Sequence, residues 1–310
     1  MDKHIEEYLA ELLPELAKRG IRVASQREIA YGIQLRLERG EDFLTLNLYY
    51  SVKKGLSKVL GNGPDTPFKK EMIELCGKSV QPRKTFHTWE HWIGSDECGK
   101  GDYFGALVVA AFAMEAGLAG ELDVLGVRDS KKLRDTQIKT IARRLYERFA
   151  NRIACIVVKP LKYNEIIADM KGRGHNLNDL LAWQHATAIL DTFKQHPEAE
   201  GVLVDQFSPQ KKVCKYLKSR ELPIPVEERH GAEADLAVAA ASIIARYQFL
   251  EQLEAMNRFF QMKFPLGAGR KVLQPAQDFA DKYGFPRLAE VAKLHFVTSR
   301  NVMQQDIFPG

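Results

Sequence analysis

Two acids stand side by side, Asp96 and Glu97, where an apolar approach meets the glycine-rich run Gly99-Lys100-Gly101. Adjacent carboxylates repel, so a cation or strong hydrogen-bond donors must compensate them. A hard divalent ion such as Mg2+, which takes oxygen ligands, is the obvious choice. The glycines leave a path by which a ligand backbone can come close, because no side chain blocks it. A third acid, Asp205, ends the apolar run Val202-Leu203-Val204, at the kind of strand edge where α/β sheets gather their ligands. Asp129-Ser130-Lys131-Lys132 offers a hydroxyl and ammonium groups to phosphates, and equally reads as a helix cap followed by solvated lysines. Cys98 has no signalled base to make its thiol a nucleophile and reads as a packing residue. Of the histidines, His230 can move protons near neutral pH, whereas His185, on an otherwise apolar helix, reads as packing.

The elements that must position these residues fall into two textures. Residues 1–80 begin with helical spacing over 2–19 (Ile5, Leu9, Leu12, Leu13, Leu16, Ala17), which Gly20 stops. Strand-like runs at 21–24, 32–37 and 43–50 follow, then a helix over 67–76, which together describe a small α+β module. Residues 81–90, with Pro82 and basic flanks, read as a linker. From 91 to 310 strands are expected at 91–95, 104–113, 152–159 and 201–205. Helices are expected at 135–150, 160–170, 176–195, 232–256, 275–283 and 286–293. Spacing alone supports an α/β class for this second part.

Composition narrows the setting. No apolar run of the 310 residues approaches the ~20 needed to span a bilayer, and the first residues lack a signal peptide's apolar centre, so a cytoplasmic protein is expected. Four widely spaced cysteines indicate neither a zinc site nor a disulfide framework. The net charge of +5 is compatible with a polyanionic partner. Lys53, Lys54, Lys58, Lys69 and Lys70, interleaved with Tyr49, Tyr50 and Phe68, are suited to gripping a phosphate backbone and stacking on sugars or bases.

Four segments, in order and covering about residues 90–300, resemble the motifs of the type 2 ribonucleases H. Asp96-Glu97-Cys98-Gly99-Lys100-Gly101 is similar to their DE-x-G-x-G signature, and Asp129-Ser130-Lys131 to their D-S-K motif. Val202-Leu203-Val204-Asp205 looks like the strand carrying the third acid, and Ala240-Ala241-Ser242-Ile243-Ile244-Ala245-Arg246 like the alanine-rich helix. Asp205-Gln206-Phe207, in place of the Asp-Gly usual in ribonucleases HII, and the long preceding segment point to the HIII branch. The resemblance implies an α/β ribonuclease-H-like catalytic domain, a mixed central sheet flanked by helices. It also implies a TATA-box-binding-protein-like N-terminal domain that binds substrate.

The implied activity is endonucleolytic hydrolysis of the RNA strand of RNA–DNA hybrids, by a monomer, leaving 3′-hydroxyl and 5′-phosphate ends. Two-metal catalysis would use Mg2+, with Mn2+ as a substitute, held by Asp96, Glu97 and Asp205. The family's fourth acid falls on Glu233 or Asp235; positions two apart on a helix face different sides, so one of them reaches the metals. By the same resemblance the backbone of Gly99-Lys100-Gly101 reads the ribose 2′-hydroxyl, and Ser130 and Lys131 contact phosphates. Ser242 and Arg246 share one helix face. Cys98, Lys100 and Ala106 depart from the family's commonest residues, which leaves incision at single ribonucleotides in DNA as the competing specificity. A hybrid-binding protein without activity and a resolvase acting on all-DNA substrates are the alternatives from other classes.

Overall fold

The computed structural model describes residues 2–29, 32–51, 55–60, 66–76 and 86–307. The chain divides into two compact units, Met1–Arg83 and Lys84–Gly310. Among the described residues, no helix is long and apolar enough to cross a membrane.

In the first unit α1 (Lys3–Lys18) is capped by Asp2, whose carboxylate accepts from the His4 N–H, and buries Ile5, Leu9, Leu12 and Leu16 along one face. An antiparallel meander follows: β1 (Arg22–Ile29), β2 (Gly32–Arg39), β3 (Asp42–Ser51) and β4 (Gly55–Leu60), in that spatial order. Strand alternation sends Ile33, Leu35, Leu37, Leu44, Leu46 and Leu48 into one core with α1 and with Phe68 and Met72 of α2 (Pro67–Leu75). The opposite face carries Gln34, Arg36, Phe43, Thr45, Asn47 and Tyr49. There Gln34 donates to Asn47 at 2.7 Å, and Arg36 lies over the Phe43 ring at 4.7 Å. Two features are not evident in the sequence. β1 runs well past residue 24 because an edge strand can be polar on both sides, and Ser25–Glu28 are exposed. β4 is an additional strand.

The second unit is built on β5 (His91–Cys98), β6 (Leu107–Glu115), β7 (Ile153–Val158), β8 (Gly201–Asp205) and β9 (Val226–Arg229), in the order β7-β6-β5-β8-β9. The pairs β5–β6 and β6–β7 are antiparallel, and β5–β8 and β8–β9 parallel. The helices are α3 (Ala119–Leu125), α4 (Asp135–Phe149), α5 (Pro160–Gly172), α6 (Leu177–Gln195), α7 (Lys212–Ser219), α8 (Leu236–Phe260), α9 (Leu273–Tyr283) and α10 (Val297–Ile307). Each face of the sheet has its own core, and β6 feeds both. Val108, Ala110, Phe112 and Met114 pack toward α4 and α8, whereas Leu107, Val109 and Ala111 pack toward α5 and α6. Gly94 lets α8 lie directly on β5, because a Cβ there would come within 2.3 Å of the Ala237–Val238 backbone.

Three expectations change. The helix placed at 232–256 starts at Leu236, after a short 3-10 turn at Ala232–Ala234. The segment 286–293 is not α-helical; a 3-10 turn covers Phe285–Glu290. The strand expected from 104 begins at Leu107, since Gly99–Ala106 form a loop tied down by Gly105 N–H donating to Val291 O.

Candidate active site

Alternation along β5 decides where its acids go. Trp92, Gly94 and Asp96 face α8, while Ile93, Ser95 and Glu97 face α6. The two neighbouring carboxylates therefore leave the sheet on opposite sides at its C-terminal edge. β8 runs parallel to β5 with Val204 beside Ser95, so Asp205 ends next to Asp96. Asp96, Glu97 and Asp205 line one open cavity of ≈ 460 Å³, with Gly99, Lys100, Gly101, Ser130, Lys131, Ser242 and Arg246 also on its wall.

The acids in this cavity repel one another. Asp96 is buried, and its carboxyl is held well above the usual carboxylate range by burial first, then by the negative Glu97 and Asp205. The Ser242 hydroxyl and the Glu97 N–H, which donates to Asp96 Oδ1 at 2.7 Å, offset part of this. Asp205 is pushed up to about 6 by burial and then by Glu233, against the Ala232 N–H that donates to its Oδ1 at 3.1 Å. Glu233 goes the other way. Against the pull of burial, its own backbone N–H and the Lys131 ammonium at 3.1 Å hold it below its ordinary value. Burial and repulsion thus drive Asp205 up, while its backbone N–H and Lys131 hold Glu233 down. Glu97 meets Lys100 at 3.8 Å and His185 at 3.3 Å.

Gly99 has φ +92°, and a Cβ there would meet Ala106 O at 2.2 Å, so the turn requires glycine at this position. Gly101 has open space where a Cβ would stand, leaving the backbone approachable. The far side of the loop is fixed by Lys293, whose buried Nζ donates to Asp102 O at 2.8 Å and Gly105 O at 2.7 Å. Burial brings that ammonium down to about 8. Asp102 Oδ1 accepts from Gly267 N at 2.6 Å.

Of the two candidates for the fourth acid, the fold separates Glu233 from Asp235. Asp235 is the N-cap of α8: its Oδ1 accepts from Ala237 N at 2.8 Å, Val238 N at 3.2 Å and Trp92 Nε1 at 3.0 Å. Its other oxygen lies 3.5 Å from His87 Nε2. A carboxylate so engaged caps a helix. Glu233, on the turn before the helix, raises the Asp205 carboxyl by its charge, and its Oε2 is buried with no hydrogen-bond partner among the described residues. Ser130 bonds Ser242 at 2.8 Å, and Lys131 is largely exposed apart from its pairing with Glu233. Arg246 pairs with Asp135 at 3.1 Å on the cavity rim. His230 is exposed and does not line the cavity. Lys53 and Lys54 lie outside the described residues. Lys58 is occupied by Cys76 O at 2.7 Å and the Tyr8 ring at 4.0 Å, and Phe68 is buried core, so neither has the free surface that the sequence suggested.

His185 is more than packing. It is fully buried, its Nδ1 lies 2.7 Å from Ser95 Oγ and its Nε2 faces Glu97. The signal was present in the sequence: Gln184 and His185 are consecutive polar residues inside an apolar helix, and buried polar groups need partners.

The second unit has the ribonuclease-H-like fold, a mixed sheet between helices with its acids at one edge. The ribonuclease HII family matches residues 93–299. A ribonuclease HIII from Protochlamydia amoebophila is 40% identical over 228 residues, 74% of this chain and 73% of that protein. One from Enterococcus faecalis is 34% identical over 266 residues, 80% and 83% of the two chains. The crystal structure of Bst-RNase HIII in complex with Mn2+ superposes with a TM-score of 0.62 at 29% identity, covering 95% of this chain and 96% of that one. The chain belongs to the ribonuclease HIII family, within the type 2 ribonucleases H. It is a ribonuclease H, an endonuclease that depends on a divalent metal.

The donor chemistry of the residues present fits such an ion. Asp96, Glu97, Asp205 and Glu233 form an all-oxygen set suited to Mg2+ or Mn2+. Their mutual repulsion and the orphaned Glu233 Oε2 call for a cation. Among the described residues no three His, Cys, Asp or Glu side chains are gathered tightly enough to enclose a metal ion. Positive charge instead reaches the acids through Lys100 and Lys131.

Proposed function

We propose that Asp96, Glu97, Asp205 and Glu233 hold the divalent ions, Mg2+ by preference with Mn2+ as substitute, with which this enzyme hydrolyses the RNA strand of RNA–DNA hybrids. When bound, a pair of such ions supplies charge relief at the scissile phosphate and a water nucleophile at neutral pH. The chain's own residues do the rest. The Gly99-Lys100-Gly101 turn offers main-chain donors and acceptors to the ribose 2′-hydroxyl, the group that separates RNA from DNA. Lys131, exposed beyond its pairing with Glu233, exchanges that partner for a phosphate oxygen as substrate enters. Ser130 donates to the same strand from its place beside Ser242. Asp235 keeps α8, and with it Ser242, in register with Asp96 through its cap bonds.

The observation that carries this reading is the gathering of Asp96, Glu97 and Asp205 in one cavity with an approachable glycine turn, with the charge of Glu233 acting on Asp205. Domains 1–80 and 91–310, joined by the linker 81–90, divide the labour. The first grips the hybrid through the sheet face of Arg36, Phe43, Asn47 and Tyr49, with Lys53 and Lys54 of the same unit adding phosphate contacts. The second cuts.

The test uses three end-labelled duplexes: an RNA–DNA hybrid, DNA with one embedded ribonucleotide, and all-DNA. Each is incubated with Mg2+, Mn2+ or EDTA. Metal-dependent cutting of the hybrid, to 3′-hydroxyl and 5′-phosphate ends, is the expected result. Preferential incision at the single ribonucleotide would replace the hybrid specificity. No cutting of any duplex would leave a binding protein.

A further inference from the structure

Behind Glu97 lies a polar arrangement that the cutting chemistry does not touch. His185 has no exposed surface, yet both ring nitrogens are engaged, Nδ1 with Ser95 Oγ at 2.7 Å and Nε2 with Glu97 Oε2 at 3.3 Å. Ser95 is itself sealed in, with its hydroxyl 2.8 Å from Ala110 O and 2.7 Å from Nδ1; in the tautomer whose Nε2–H donates to Glu97, Nδ1 accepts from that hydroxyl. The ring plane is set by Phe207, stacked on it at a centroid distance of 5.2 Å and an angle of 16°. Phe207 holds a second group as well, since its carbonyl accepts from Lys100 Nζ at 3.3 Å and its ring lies 5.0 Å from that ammonium. Lys100 in turn reaches the other Glu97 oxygen. Each oxygen of one carboxylate thus has its own partner, and both partners lean on the same aromatic residue.

Among the described residues Asp96 has no such backing. Its contacts are the Ser242 hydroxyl and the Glu97 N–H, both at the cavity itself. Glu97 has the longer side chain, with one more rotatable bond to fix before it can act as a ligand.

We infer that His185, oriented by Ser95 and Phe207, is a positioning residue that holds the Glu97 carboxylate in its ligating rotamer and thereby sets the metal affinity of the site. The inference rests on the assignment of Glu97 as a metal ligand. It also gives a physical task to the Asp205-Gln206-Phe207 sequence, which brings an aromatic ring against the histidine directly after the third acid. Hydrogen-bonding partners behind a metal ligand typically contribute 10- to 100-fold in metal affinity.

The experiment measures Mn2+ binding by isothermal titration calorimetry on the full chain, with no substrate present, alongside the thermal midpoint of each variant. The variants are Glu97→Gln, His185→Gln, His185→Asn and Ser95→Ala. A glutamine amide can reach the position of Nε2 and donate to Glu97, whereas an asparagine amide reproduces only the Nδ1 side toward Ser95. The expected result is a loss of Mn2+ affinity of about 10-fold or more in His185→Asn, substantial recovery in His185→Gln, and a smaller loss in the gently altered Ser95→Ala. Equal affinities for the wild type and all three of these variants, with Glu97→Gln impaired, would overturn the positioning role alone. A loss that tracks only the thermal midpoint, with asparagine no worse than glutamine, would make His185 structural and also overturn it. Unchanged Mn2+ binding in Glu97→Gln would remove the ligand assignment and the inference with it.

Discussion

The two sheets of this molecule are exposed in different ways. The four-stranded sheet of the first unit packs its core on one side, and among the described residues its other side carries Gln34, Arg36, Phe43, Asn47 and Tyr49, exposed or half-buried. The five-stranded sheet of the second unit is packed on both sides. It opens at the strand ends, where Asp96, Glu97 and Asp205 share a cavity. A bare face suits many weak, sequence-independent contacts along a phosphate backbone. A sheet edge between two cores suits a few side chains fixed in place and partly desolvated, which is what shifts their protonation. On the proposed reading, binding is distributed over the first unit and chemistry concentrated in the second.

The sharpest way to break that comparison is at the edge. Asp96→Asn and Asp205→Asn should each lower the rate of hybrid cleavage by about 10³-fold or more, several kcal/mol of lost transition-state stabilisation. Hybrid affinity, measured by fluorescence anisotropy, should stay within a few-fold. Substantial cleavage by either variant would remove that acid from the metal set.

The face should respond gradually. Removing residues 1–80 should weaken hybrid binding by about tenfold or more. It should also flatten the dependence of log K on log salt by about 0.9 for each phosphate that the first unit neutralises, with the cut positions and end chemistry unchanged. An unaltered salt slope would deny the first unit any grip on the backbone.

A smaller effect distinguishes the two acids beside α8. Asp235→Ala removes the helix cap and strands the Trp92 indole N–H, a cost of about 1–3 kcal/mol in unfolding free energy. Cleavage at saturating metal should remain within a few-fold of wild type, whereas Glu233→Ala should reverse the pattern, with near-native stability and poor cleavage. If Asp235→Ala instead kept its stability and lost its activity, the fourth ligand would have to be reassigned.

These contrasts also mark what the sequence could reveal. Asp96, Glu97 and Asp205 were legible because each ends or interrupts an apolar run, and the ordered motifs made the mixed-sheet fold of the second unit an expectation before any coordinates. The choice between Glu233 and Asp235 was not legible, since it turns on whether α8 starts at residue 232 or 236. That boundary is fixed by three donors converging on Asp235, one of them Trp92 from a strand 143 residues away. His185 reads as packing for a related reason. Its helix looks apolar, and the partner that gives the imidazole a task comes from the far end of β5. β1 beyond residue 24 escaped because hydrophobic periodicity is silent on an edge strand exposed on both sides. In each case the deciding information was a tertiary contact.

The smallest predicted effect concerns the resting charge of the edge, and its sign is opposite to that of most carboxylates. The Asp205 carboxyl is pushed up to about 6, and that of Asp96 is also raised, both by burial first and by neighbouring acids next. In the unfolded chain an aspartate titrates near ~3.9. The folded state therefore binds protons that the unfolded state has released, and the stability linked to them is fully present below the unfolded pKa and lost as pH rises through about 6. In EDTA the Asp205 contribution should make the melting temperature decline between pH 5 and 7.5. Asp205→Asn, which cannot titrate, should flatten the profile by that component. Millimolar Mg2+ should restore stability at pH 7.5 by binding the ionised acids of the folded state, and much less at pH 5, where protons compete for the same oxygens. A difference between wild type and Asp205→Asn that does not change across this range would mean that the edge is already neutralised by Lys100 and Lys131. Those lysines would then act as the site's counter-ions, as well as its phosphate contacts.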